Sequence, residues 1–292
     1  MNWLYFTLIA ATGFGIISVM AKDIMADTSA VIYTALYSVL GLIFYTPVFL
    51  YYAFTLEHSA SFLAVAGLGV SMVGNVLAFI IYNYSVKEGK LSQVVPITRL
   101  TPVFAAAIAA VVLGETVSIA LASGVIFATT GAIIVLKEED VSYLRSVEDG
   151  IHTKAIKAAI ISAFLYGVTS VADRYATQII APEIYNYFIY VGMSSGLLAA
   201  AYYRYSHPSE EILDTFNEYS IYYVFTGIIA AGSSLAIFKA FSAASAAKVT
   251  TVLQFQVLIP VIAGVLLFDE KDLTRKLIGS IILIAGIGLS AI

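Results

Sequence analysis

Residues 114–131 read GETVSIALASGVIFATTG and residues 269–286 read DEKDLTRKLIGSIILIAG. In each stretch a glutamate closes one apolar run, and two glycines follow in the next, nine and sixteen residues later. Glu115, Gly124 and Gly131 form the first set, and Glu270, Gly279 and Gly286 the second. The same punctuation recurs after 155 residues, the mark of an internal duplication.

Composition sets the surroundings of these runs. Hydrophobic residues make up 60% of the chain and charged residues 12%, with a mean hydropathy of +0.92, well beyond what a soluble core of this size needs. Apolar stretches cover 3–20, 30–54, 61–84, 91–113, 118–136, 155–176, 184–204, 220–242, 247–268 and 276–292. Most reach about 18–25 residues, enough for a helix rising 1.5 Å per residue to cross roughly 30 Å of hydrocarbon. Their hydrophobicity is continuous and lacks the alternation of barrel strands, so they are predicted to be helices. The expected fold is an all-α integral membrane protein of ten transmembrane helices. The first run starts without the positive stretch of a secretory signal and is read as helix one.

The polar stretch KEEDVSYLRSVEDGIHTK at 137–154 divides five helices from five. Shifting by 155 residues overlays helices four and five on nine and ten without a gap. The first helices of the halves match under a slightly different shift: Gly15, Ser18 and Val19 pair with Gly167, Ser170 and Val171. Residues 1–136 and 155–292 are therefore predicted to be two five-helix repeats, with 137–154 as a polar linker. Five is odd, so the second copy sits inverted in the membrane, the arrangement of many secondary transporters.

Both halves run into their fourth helix through similar stretches, SVKEGKLSQV at 85–94 and AFSAASAAKV at 240–249. With the glutamate and glycine spacing, these make the chain resemble the EamA family of the drug/metabolite transporter superfamily over nearly its whole length. The resemblance implies a basket of ten helices around a central cavity, lined by helices one, three, four, six, eight and nine. It also implies export or exchange of small metabolites such as amino acids, with both termini in the cytoplasm.

Polar residues deep in apolar runs point to a cavity independently. Arg99 lies near the middle of helix four, where an arginine costs about 2.5–3.5 kcal/mol on insertion scales. Its counterpart under the 155-residue shift is Gln254. Ser92, Pro96 and Arg99 share a face, as do Thr250, Thr251 and Gln254. Helix three adds Asn75, Tyr82 and Asn83, and helix eight adds Lys239, which alternatively snorkels toward its helix end. The candidate substrate-binding set is Asn75, Tyr82, Asn83, Ser92, Arg99, Lys239, Thr251 and Gln254. Pro96, Pro102 and Pro260 are expected to interrupt helices four and nine. Glu115 and Glu270 sit in short turns and are read as caps for the next helix in preference to proton-coupling groups. Gly192 and Gly196 form a GxxxG read as internal packing in preference to a dimer interface.

Several classes are set aside. The chain has no cysteine, and its three histidines lie scattered in connectors, so no metal site and no cofactor is expected. Ser245 and Lys248 spell SxxK without companion motifs, a chance match. No phosphate loop or dinucleotide fingerprint occurs, and no nucleic-acid partner is expected. The expected partners are a small-molecule substrate, a coupling proton or ion, and the lipid bilayer, with the protein a monomer or weak dimer. A scaffold or sensor explains the hydrophobicity but not the matched polar residues. An intramembrane enzyme lacks a visible nucleophile or metal cluster. HPSEEILDTFNEYS at 207–220 is predicted to be a short interfacial helix.

Charge speaks differently on orientation. The connectors opposite the termini hold Lys22, Lys87, Lys90, Lys137, Arg145, Lys154, Lys157, Arg204, Lys271, Arg275 and Lys276, and the terminal side holds Arg174. The positive-inside rule then places both termini outside, against the resemblance.

Overall fold

The computed structural model describes residues 2–56, 60–89, 91–136, 154–205, 207–267 and 273–291. Its helices are α1 (Asn2–Asp27), α2 (Ala30–Thr55), α3 (Phe62–Glu88), α4 (Leu91–Thr98), α5 (Thr101–Val112), α6 (Ile119–Leu136) and α7 (Lys154–Thr177). They continue with α8 (Pro182–Arg204), α9 (Pro208–Ala243), α10 (Ala246–Leu253), a 3-10 turn (Gln254–Val257), α11 (Leu258–Leu267) and α12 (Leu273–Ala291). Hydroxyls start several of them. Ser29 caps α2 by accepting from Ile32 N at 3.2 Å, Ser61 caps α3 by accepting from Ala64 N at 3.2 Å, and proline opens α8 and α9.

Among the described residues nine spans are long and apolar enough to cross a membrane, the pair α4 and α5 counting as one and the run from α10 through α11 as another. The remaining predicted segment, the seventh, is α8, which has 23 residues but a lower hydropathy. Its polar side chains explain this, because Tyr185, Asn186, Tyr190 and Ser194 are all buried against protein. The eighth predicted segment and the polar stretch before it form the two arms of α9. The stretch predicted to be a short helix of its own is the first arm, set apart from the second by a break at Tyr219, whose non-helical φ and ψ are −115° and 24°.

Helices from before residue 137 pack chiefly on helices from after residue 153: α6 on α12, α3 on α7, α1 on α9 and α2 on α8. Glycine makes the closest of these contacts possible. A Cβ on Gly131 would stand 2.3 Å from Leu283 N, and one on Gly286 would stand 2.2 Å from Ala128 N. Gly124 likewise faces Ser290, as Gly279 faces Val135. The backbones of α6 and α12 therefore touch at all four glycines. Gly192 and Gly196 meet Met72 and Val76 of α3 inside the chain, the internal packing the GxxxG spacing suggested. Gly15 abuts Ile259 of α11, and Gly167 abuts Phe104 of α5.

Candidate functional site

The fourth and ninth spans both break along their length, and the breaks meet. Pro102 has no N–H to offer Thr98 O, and the Thr101 hydroxyl takes that carbonyl at 2.9 Å. Val103 N turns to Leu100 O at 2.9 Å, which frees the carbonyl of Arg99. Gln254, 4% exposed and first in the 3-10 turn, donates its side-chain amide to that carbonyl at 2.9 Å. Thus the interruption expected from the prolines is present, and the freed backbone group is satisfied from the other broken span.

The Arg99 side chain points into the same region, and its Nε is buried without a hydrogen-bond partner. The Tyr82 phenol lies within electrostatic range of its guanidinium, and Tyr166 within range of Tyr82 and Tyr37. Tyr190 of α8 accepts from Ser234 Oγ at 3.0 Å and lies within range of Tyr37. Arg99, Tyr37, Tyr82 and Tyr166 are each partly buried. With Tyr190 and Ser234 they form a polar cluster drawn from α2, α3, α7, α8, α9 and the break in the fourth span. One guanidinium and several phenols suit it to hydrogen-bond a small polar, anionic or zwitterionic molecule.

The other sequence candidates fall elsewhere. Thr251 is fully buried and donates to Ala247 O of its own helix at 2.6 Å, and Asn83 donates to Phe79 O at 2.8 Å. Asn75 belongs to a second network, donating to Ser71 Oγ at 3.0 Å. Lys239 forms an ion pair with Glu183 at 2.9 Å near the terminal-side ends of α8 and α9, and lies 5.8 Å above the Phe6 ring. Ser92 starts the first turns of α4, and its side chain lies outside the described ones. Ser245 caps α10 by accepting from Lys248 N at 3.3 Å, which explains the SxxK match without chemistry.

Glu115 corrects one expectation. Ser118 caps the next helix, accepting from Leu121 N at 3.1 Å. Glu115 instead accepts from Arg174 Nε at 3.1 Å and from the backbone N of Ala246, the first residue of α10, at 3.2 Å. Arg174 also donates to Phe241 O and Ser242 O at the end of α9. The carboxylate is a cap, but for a helix 131 residues away, which sequence spacing could not reveal. Glu270 lies outside the described residues. A cleft of about 220 Å³ between α2 and α9 is apolar, lined by Phe44, Tyr45, Val48, Ile228, Ala231 and Leu235. Phe44 and Ile228 are exposed on the outer surface, so it is a groove on the outside of the bundle and separate from the polar cluster at Arg99.

A bundle of apolar spans with a polar interior at two broken helices defines a multi-pass membrane protein. The sequence profile of the EamA-like transporter family matches residues 1–137 and again 153–292, and the chain belongs to that family. None of the curated proteins matches the chain. A crystal structure with 16% identity covers 98% of this chain and 97% of its own, with a TM-score of 0.68, a likeness of fold.

Proposed function

We propose that the protein is a secondary active transporter, an exporter or exchanger of small polar metabolites such as amino acids, working in the cell membrane. Its two halves, 1–136 and 155–292, act as inverted five-helix repeats joined by the linker 137–154 and rock about the polar cluster at Arg99. On this reading the partners are the substrate, the bilayer and a coupling proton or ion, and the protein works as a monomer or weak dimer.

The observation that carries the proposal is the exchange of contacts under the 155-residue shift. Gln254 bonds Arg99, its own counterpart. Gly124 with Ser290 maps onto Gly279 with Val135, and Gly131 with Leu283 onto Gly286 with Ala128. The matched pair Gly15 and Gly167 contacts Ile259 and Phe104, again 155 apart. Contacts that swap partners in this way support a two-fold relation between the halves, with its axis near the break where substrate would bind. A scaffold needs no such convergence of polar groups at the axis.

The test is flux into proteoliposomes offered pools of amino acids, nucleotides, sugars and organic cations. Protein-dependent exchange of one pool is expected, and Arg99→Ala is expected to abolish it or change its substrate while leaving expression intact. Unchanged flux in that variant would assign Arg99 to structure alone.

A further inference from the structure

Asp173 lies in α7, four residues before the helix ends on the terminal side, and is 5% exposed. Two hydroxyls converge on one of its carboxylate oxygens, Ser71 Oγ from α3 and Tyr185 OH from α8, the latter at 2.6 Å. Ser71 is itself held by the Asn75 amide at 3.0 Å, and Thr169 donates to Asn75 Oδ1 at 3.5 Å. A hydrogen-bonded chain thus runs from the terminal side toward Tyr166 and the polar cluster, one turn of α7 from Thr169.

The charged groups around this carboxyl are engaged elsewhere. Arg174, next in sequence, reaches Glu115 and the carbonyls of Phe241 and Ser242. Lys239 of α9 pairs with Glu183 of α8. Lys248 stands in the first turn of α10. From α3 only the neutral Ser71 and Asn75 approach, and among the described residues no cation forms an ion pair with Asp173. A buried carboxyl without a counter-ion in a membrane span carries a cost that a neutral amide or hydroxyl would avoid if the position only stapled three helices.

Resting on the transporter reading, we propose that Asp173 is the proton-binding group of the transport cycle, loaded from the terminal side of the membrane. The step is the addition of one proton to the carboxylate, giving the neutral acid, with no other bond made or broken. The network suits both states. Hydroxyls donate to a carboxylate and accept from an acid, so Ser71 and Tyr185 remain bonded after protonation. Charge-assisted bonds are roughly twice as strong as neutral ones, so protonation loosens the hold of α7 on α3 and α8. The same end of the bundle is fastened by the Arg174–Glu115 and Lys239–Glu183 pairs; Arg174 follows Asp173, and Glu183 stands two residues before Tyr185. Proton uptake therefore weakens the closure on that side.

The experiment compares wild type, Asp173→Asn and Asp173→Glu in vesicles of phosphatidylethanolamine and phosphatidylglycerol. Infrared difference spectra on acidification are expected to show the C=O band of a protonated carboxyl in wild type, absent in Asp173→Asn and restored in Asp173→Glu. A step of one pH unit can drive about tenfold accumulation of pooled radiolabelled amino acids, and Asp173→Asn is expected to lose it while retaining counterflow. An identical band in Asp173→Asn overturns the proposal, as does undiminished accumulation in that variant or accumulation driven only by sodium. Wild type without flux of any pool sinks the transporter reading instead, and the infrared band still decides whether Asp173 takes up the proton.

Discussion

Glu115 balances Arg174 while holding the first amide of α10, and both side chains in the pair are only 16% exposed. Glu115→Gln keeps an acceptor for Ala246 N but removes the charge facing the guanidinium. Hydrogen bonds to charged groups contribute about 1.5–3 kcal/mol, so a loss of that order in thermal stability is expected in detergent. Flux per folded molecule is expected to stay near wild type. Loss of proton-driven flux with exchange intact would move the coupling role from Asp173 to Glu115. At this scale the sequence was legible where duplication marked a position. Arg99 and Gln254 stood out because they occupy equal depth in both halves, and they meet. The tyrosines of the polar cluster did not stand out, since the chain has 20 tyrosines and nothing local separates Tyr37 or Tyr166 from the rest. Asp173 was hidden differently: followed by arginine near a helix end, it reads as an ordinary solvated terminus until Ser71, 102 residues away, is seen to reach it.

Helices four and nine illustrate what a run of residues does and does not declare. Proline announces a break, and both spans break, but where the freed carbonyl finds its donor is a tertiary matter. The glycines of α6 and α12 declared more, because a glycine pair repeated at the same spacing leaves few purposes besides close approach. Gly131→Ala is expected to destabilise the protein by about 1–3 kcal/mol, since the added Cβ meets backbone that cannot turn aside. Gly288→Ala, on the partner helix α12 but with open space around it, is the control and is expected to be tolerated. The midpoint of thermal unfolding in a single detergent compares them, and equal midpoints would mean α6 and α12 are free to separate. The division of α9 was legible as well: a proline and acidic residues mark a helix start at 208, and the backbone leaves helical geometry at Tyr219, where the polar stretch gives way to the apolar run.

For the molecule as a whole, the helix count follows from hydropathy alone except at α8, whose buried polar face lowers the signal it was read from. Orientation is the open competition between lysine and arginine counts and family resemblance. The structure adds Lys239 and Lys248 near the terminal-side ends of α9 and α10, and Lys239 and Arg174 are both ion-paired there. Three cations on that side still stand against eleven on the other. We expect the termini outside on this charge bias, and a reporter fused after Ile292 that is active only in the cytoplasm should stay dark. A strong signal would restore the family's arrangement.

The pairing of early helices with late ones bears on the order in which the protein is made. The first five segments enter the bilayer with α6 lacking the backbone it is shaped to touch, α3 lacking α7, and Glu115 lacking both Arg174 and Ala246. Until the second half has been synthesised, those faces meet only lipid, helper proteins or one another. Assembly is therefore necessarily late, and a nascent chain stalled at the midpoint presents glycine stripes and an unpaired carboxylate to whatever quality control patrols the membrane.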